Sequence, residues 1–125
     1  MELNEISGAV VNAAVKVHTA LGPGLLENAY EACLLHELHK RGFNVASQVI
    51  LPVRYDGIVI DIGYRLDLLV ENSLVLELKS VEKLLPIHEA QILTYLKLGG
   101  YKLGLLLNFN VVHMKEGIKR MINGF

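Results

Sequence analysis

The sequence contains no tryptophan, a single cysteine and three prolines, and aromatic residues make up only 6% of its 125 residues. With so few aromatic side chains, the core must be mainly aliphatic. Cys33 has no partner for an internal disulfide, which favours a reducing, cytoplasmic location. The polar residues at the start of the sequence argue against a signal peptide. No apolar run reaches the roughly 18 residues of a membrane-spanning helix, so no membrane association is expected.

An excess of one charge sign is also missing. The 12 Lys and Arg residues nearly balance the 13 Asp and Glu residues, which excludes a basic surface over the whole protein. The charges are unevenly distributed, because residues 1–78 contain ten acidic and five basic side chains, and residues 79–125 contain three and seven. A polyanion would then bind toward the second half, or reach the acidic first half only where cations neutralise it.

A hydrophobic content of 52% is typical of a globular chain, and the length of 125 residues fits one domain. Apolar periodicity predicts an α/β domain over residues 1–125, with a mixed β-sheet flanked by helices in the order ααβββαββα. Asp56-Gly57 separates two alternating segments, which predicts a tight hairpin. Helices are predicted at 4–21, 26–41, 87–98 and 114–122, and strands at 43–55, 58–70, 74–81, 102–109 and 111–112. Alternation puts Val45 with Val49, and Leu66 with Val70, on shared strand faces.

Charged side chains interrupt two of the predicted strands. Asp67 lies in one, and Glu77 and Lys79 lie in the next, where they share a face roughly 7 Å apart. Two carboxylates on a rigid sheet would suit Mg²⁺ or Mn²⁺, and a lysine beside them would hold an attacking water. A solvated sheet face explains the same three residues equally simply.

Two helices carry further candidates. Glu27 is predicted in the first turn of the second helix, with Tyr30 one turn further on, and the helix dipole alone is a sufficient reason for an acid there. Gln91 and Tyr95 are four residues apart and share a helix face, which packing alone would also explain.

Other sites are excluded by spacing. The segment from His36 to His39 is one residue shorter than the zinc-binding H-E-x-x-H arrangement. Gly22-Pro23-Gly24 lacks the preceding strand and the third glycine of a dinucleotide-binding turn. The sequence contains no Gly-Lys-Ser/Thr phosphate loop.

The order of the candidates resembles a known family. Asp67, Glu77 and Lys79 form a D-x(9)-E-x-K pattern that is similar to the signature of the PD-(D/E)XK nuclease superfamily, although Leu66 stands where the signature has proline. The upstream Glu27 and the downstream Q-x-x-x-Y at Gln91 resemble the RecB-like branch. The motif Gly24-x-x-Glu27-x-x-Tyr30 resembles the GxxExxY proteins.

The resemblance implies a restriction-endonuclease-like core and metal-dependent hydrolysis of phosphodiester bonds in DNA. It implies that Asp67 and Glu77 bind Mg²⁺ or Mn²⁺, and that Glu27 is a further ligand or contacts a metal-bound water. Lys79 would orient the nucleophilic water. Gln91 would contact Lys79 or a phosphate, and Arg65 would contact a phosphate. Tyr95 and Tyr30 would support the substrate-binding side of the site.

Two alternatives remain open at this point. The first is a catalytically silent nuclease fold that binds nucleic acid or protein, which the missing basic surface favours. The second is a partner protein in a toxin–antitoxin or defence system. Homodimerisation is also expected, because a nuclease of this size would not by itself enclose a duplex.

Overall fold

The computed structural model describes residues 1–124, which form a central mixed sheet, a separate β-hairpin and three α-helices. The helices are α1 (Leu3–Leu21), α2 (Glu27–Lys40) and α3 (Pro86–Gly99). The strands are β1 (Val45–Ile50), β2 (Val53–Tyr55), β3 (Ile58–Ile60), β4 (Arg65–Val70), β5 (Leu74–Lys79), β6 (Leu103–Asn108) and β7 (Ile118–Ile122). No helix within residues 1–124 is long and apolar enough to cross a membrane.

The main sheet has the strand order β1-β4-β5-β6-β7. Neighbouring strands are antiparallel except for β5 and β6, which are parallel and are joined by the crossover helix α3. The expected mixed sheet flanked by helices is therefore confirmed, and it agrees with a restriction-endonuclease-like core. The predicted hairpin at Asp56-Gly57 is also confirmed: it joins β2 to β3, with φ angles of 50° and 77° at the two turn residues.

Apolar side chains cover both faces of the main sheet. One face packs against α1 and α2 through buried residues such as Val10, Leu34 and Leu76. The other face packs against α3 through residues such as Ile92 and Leu106. Burial on both faces explains why β6 is a continuous apolar segment.

Both β1 and β4 exchange faces in the middle of the strand, which the alternation did not predict. Leu68 and Val70 belong to the core under α1 and α2, whereas Leu66 belongs to the core under α3. In β1, Val45 packs against the core under α1 and α2, whereas Val49 packs against the core under α3. The exchange occurs where Gln48 has a φ of 54°, a left-handed conformation that interrupts the regular pleat.

The predictions for 43–55 and 58–70 were too long. The first segment breaks at Leu51-Pro52, and the second breaks before β4, where Gly63 has a φ of 92°. Leu51 still donates a main-chain hydrogen bond to Tyr64 at 3.0 Å, so the two segments continue as one ribbon.

The prediction of a helix at 114–122 was wrong, as was that of a strand at 111–112. Residues Met114–Gly117 form a 3₁₀ turn, and Ile118–Ile122 is the edge strand β7, antiparallel to β6. Pairing with β6 decides the conformation, since β6 would otherwise be left with an open edge of unpaired main-chain groups.

Candidate functional site

Asp67 and Glu77 are connected where β4 and β5 separate. Regular pairing of these strands extends from Val70–Leu74 to Leu68–Leu76. Beyond it, the main-chain N–H of Asp67 donates to Oε1 of Glu77 at 3.2 Å, and the N–H of Leu78 donates to Oδ2 of Asp67 at 2.9 Å. Each carboxylate thus accepts a hydrogen bond from the opposite strand, which fixes the two acids side by side.

The Glu77 carboxyl is in an unusual electrostatic environment. Glu77 is 7% exposed, and burial raises its pKa to about 8, with the Asp67 charge as the second cause and the Glu27 charge as a smaller one. The hydrogen bond from Asp67 and the charge of Lys79 act in the opposite direction. Near neutral pH this carboxyl therefore holds a proton, and a cation beside it would favour the ionised form.

A short loop sets the position of Glu27. The hydroxyl of Tyr30 donates to the carbonyl of Gly22 at 2.6 Å and accepts the N–H of Leu25 at 3.1 Å. The hydroxyl of Ser80, directly after β5, donates to the carbonyl of Leu25 at 2.6 Å. The loop before α2 is therefore attached both to its own helix and to the end of β5, so that Glu27 begins α2 beside the separating strands.

Gly24 and Phe109 also help to fix the loop before α2. Gly24 has a φ of 99°, a conformation that favours glycine over any residue with a side chain. The ring of Tyr30 is completely buried and stacks on Phe109, with the ring centroids 4.6 Å apart. The spacing of Gly24, Glu27 and Tyr30 thus has a structural reason, because all three residues shape the start of one helix.

Glu27 lies within electrostatic reach of the strand residues. Burial raises the pKa of the Glu27 carboxyl first, followed by the negative charge of Asp67, while the positive charge of Lys79 lowers it. The structure therefore brings Glu27, Asp67, Glu77 and Lys79 to one end of the sheet.

Two residues at this site were missed by the sequence reasoning. Glu31 lies one turn after Glu27 on α2, and the amide of Gln48 donates to both of its carboxylate oxygens at 3.1 and 2.9 Å. Burial raises the pKa of Glu31, and the Asp67 charge contributes in the same direction. The helical spacing of Glu27 and Glu31 was a usable signal. Gln48 had none, because its place opposite Asp67 depends on the strand register.

An open groove of about 490 Å³ passes this side of the site. Its wall is formed by the start of α2 and by the two strands that exchange faces. The lining residues are Leu26, Glu27, Asn28, Glu31, Gln48 and Asp67.

Two further candidates, Gln91 and Tyr95, lie on α3. Gln91 donates from its amide to the Tyr95 hydroxyl at 3.0 Å, and within residues 1–124 it makes no hydrogen bond to Lys79. Tyr95 is buried, and burial followed by the Glu77 charge raises the pKa of its hydroxyl. Tyr95 and Gln91 therefore form a hydrogen-bonded pair on α3, and Tyr95 lies within electrostatic reach of Glu77.

Arg65 is engaged locally. Its guanidinium donates to the Tyr64 carbonyl at 2.9 Å and lies 3.6 Å from the Asp61 carboxylate. A phosphate contact by Arg65 would have to compete with Asp61.

Asp67 and Glu77 suit Mg²⁺, which needs few protein ligands, better than they suit a metal that is bound by protein side chains alone. Within residues 1–124, no group of three or more His, Cys, Asp or Glu side chains is arranged to hold a metal ion. Mg²⁺ in proteins is usually bound through one or two carboxylates and keeps several waters. The adjacent carboxylates of Asp67 and Glu77 are consistent with that kind of site.

Comparison with known proteins gives one finding about the family. A model of the PD-(D/E)XK nuclease superfamily matches residues 4–121, nearly the whole chain. Searches of curated proteins and of solved structures gave no match.

Proposed function

Because the chain belongs to the PD-(D/E)XK nuclease superfamily, we propose that it is a Mg²⁺- or Mn²⁺-dependent nuclease that hydrolyses phosphodiester bonds in DNA. The observation that carries the proposal is the reciprocal pair of hydrogen bonds through which β4 and β5 hold the Asp67 and Glu77 carboxylates together. Two buried or half-buried acids side by side are unfavourable unless protons or a cation offset their charge.

The proposed roles follow from the positions of the side chains. Asp67 and Glu77 would hold the metal ion, and Glu27 would contact a water in its shell from the start of α2. When bound, the ion would supply positive charge to the phosphate. The raised pKa values of Glu77 and Glu27 support the assignment, because the charge of Asp67 contributes to both and a cation would counteract it.

Lys79 would orient the nucleophilic water. Its ammonium group is a hydrogen-bond donor only, so it would hold the water through the water oxygen and turn it toward phosphorus. Hydrolysis then forms a bond from the water oxygen to phosphorus and breaks the bond from phosphorus to the leaving oxygen. One O–H bond of the water breaks as well, and its proton ends on the leaving oxygen. Tyr95 and Gln91 would support Glu77 from α3, and Arg65 would approach a phosphate once released from Asp61.

Within the superfamily we place the chain among the GxxExxY proteins of the RecB-like branch. The motif residues support this placement because they act on one turn. Gly24 permits the turn, and Tyr30 closes it by hydrogen bonds to Gly22 and Leu25. Glu27 follows the turn and lies at the site.

The direct experiment is cleavage of single- and double-stranded DNA with Mg²⁺ or Mn²⁺. Asp67→Asn and Lys79→Ala should each lower the rate at least a hundredfold, whereas Lys83→Ala, the change of an exposed lysine after β5, should leave it unchanged. Equal rates in all four proteins would mean that the cleavage comes from a contaminant and would refute the assignment. An RNA substrate in parallel tests the choice of DNA.

A catalytically silent nuclease fold, acting as a binding or regulatory module, is the second candidate. It is favoured by the near balance of 12 basic and 13 acidic residues, which gives the protein no excess of positive charge for binding nucleic acid. Calorimetric titration with Mn²⁺ distinguishes the two functions. Binding that Asp67→Asn abolishes supports the nuclease, and no binding at millimolar Mn²⁺ supports the silent module.

A further inference from the structure

The β2–β3 hairpin stands apart from the two cores. Its two strands contact each other closely, and within residues 1–124 they contact no other helix or strand to a comparable extent. All three residues of β3 are exposed, and none of the residues from 53 to 60 belongs to either core cluster. A two-stranded hairpin that extends from the main sheet without packing on either core gains little from burial, so a further strand beside it would be favourable.

The exposed surface of the hairpin is apolar. Ile58 is 56% exposed, Val59 is 57% exposed and Tyr55 is 71% exposed, and the neighbouring Ile62 is 61% exposed. Residues 53–62 contain one basic and two acidic side chains, which does not fit a phosphate backbone. The chemistry of this surface therefore suits protein and not nucleic acid.

The two edges of the hairpin differ. β2 follows Pro52 and contains Arg54, and both residue types are common protection against strand pairing. β3 contains only Ile58, Val59 and Ile60, and within residues 1–124 no main-chain hydrogen bond joins its outer edge to another segment. The edge of β3 is thus open and unprotected.

The geometry points to a second copy of this chain as the partner: we propose that β3 pairs antiparallel with β3 of another molecule across a two-fold axis at Val59. Tyr55 and Ile58 close the two-residue turn, so Val59, one position further, directs its N–H and C=O outward. The N–H of each Val59 then donates to the C=O of Val59 in the other copy. In this register Ile58 of one copy lies opposite Ile60 of the other, so the sequence is self-complementary.

The result is a four-stranded sheet of two hairpins with apolar side chains on both faces. The exposed apolar side chains of 55–62 offer several hundred Å² in each copy, which is at the lower end of specific interfaces, so we expect a weak dimer that forms only at about micromolar or higher concentration. The proposal is independent of the chemistry at Asp67, although residues 61–64 join β3 to β4.

Sedimentation equilibrium of the full chain tests this interface. We expect a mass of twice 13.9 kDa at concentrations well above micromolar. Val59→Lys places two ammonium groups opposite each other at the axis, and Val59→Pro removes the outward N–H of an edge strand that tolerates proline. Both variants should weaken the dimer at least tenfold, with an unchanged circular dichroism spectrum.

Val112→Lys is the matched control, because Val112 is 77% exposed and lies outside the hairpin. It should sediment as wild type does. A wild-type protein that is monomeric at every concentration would overturn the proposal. So would a Val59→Lys protein that dimerises as strongly as Val112→Lys. Loss of dimerisation with full DNA cleavage would separate this interface from the proposed nuclease site.

Discussion

Burial of the Glu77 carboxyl beside Asp67 makes the stability of the metal-free protein depend on pH. The pKa of this group is about 8 in the folded protein against 4.5 for the ordinary value, so the folded state binds its proton more tightly than the unfolded chain. The contribution to stability is full below pH 4.5 and is lost as the pH rises toward 8.

Glu77→Gln should remove most of this dependence, since the amide keeps the oxygen that accepts the Asp67 N–H and cannot ionise. Thermal unfolding in a chelator between pH 4.5 and 9 measures the effect. Glu77→Gln should be more stable than wild type at the alkaline end. Glu71→Gln, at an exposed position, is the control and should show the same pH dependence of stability as wild type. Parallel curves for Glu77→Gln and wild type would show that Glu77 ionises normally.

The hydroxyl of Tyr30 makes a measurable contribution to the stability of the fold. Tyr30→Phe keeps the ring stacked on Phe109 and leaves the Gly22 carbonyl and the Leu25 N–H without their partner. We expect a loss of about 1–2 kcal/mol in urea denaturation. Tyr55→Phe, at a position 71% exposed, should cost nothing. If both changes were equally mild, the loop before α2 would not depend on this hydroxyl.

At the scale of elements, the sequence predicted what depends on local pattern. The bounds of α1, α2 and α3 and the hairpin at Asp56-Gly57 follow from periodicity and turn chemistry. The exchange of faces at Gln48 and Asp67 was not predictable, because it depends on pairing between strands that are distant in sequence. The same limit applies to Gln48 and Glu31, which meet only through tertiary structure.

The C-terminal strand β7 is the element where tertiary pairing overrode local preference. Residues Ile118–Ile122 pair with β6, and the alternation of the strand buries Met121 and exposes Ile122. Met121→Ala should therefore destabilise the protein by about 2–3 kcal/mol, and Ile122→Ala, at a position 53% exposed, by less than about 0.5 kcal/mol. Chemical denaturation of both variants measures the difference. Equal effects would contradict a strand with this register.

At the scale of the whole molecule, the candidate site is a junction of segments far apart in the chain. Glu27 comes from the start of α2, Asp67 and Glu77 from strands that separate, and Tyr95 from the crossover helix that covers them. The order of these residues was readable from the sequence, whereas their distances depend on the packing of both layers. A ligand that connects such segments should stabilise the whole fold, because unfolding would release it.

Binding of Mn²⁺ by the folded protein should accordingly raise the free energy of unfolding. At a concentration ten times the dissociation constant the gain is about 1.4 kcal/mol, and it grows by about the same amount for each further factor of ten. Thermal unfolding with increasing Mn²⁺ measures this slope. In Asp67→Asn the slope should vanish, since one of the two adjacent carboxylates is lost, and in Glu71→Gln it should persist. An unchanged slope in Asp67→Asn would place the bound ion away from β4 and β5.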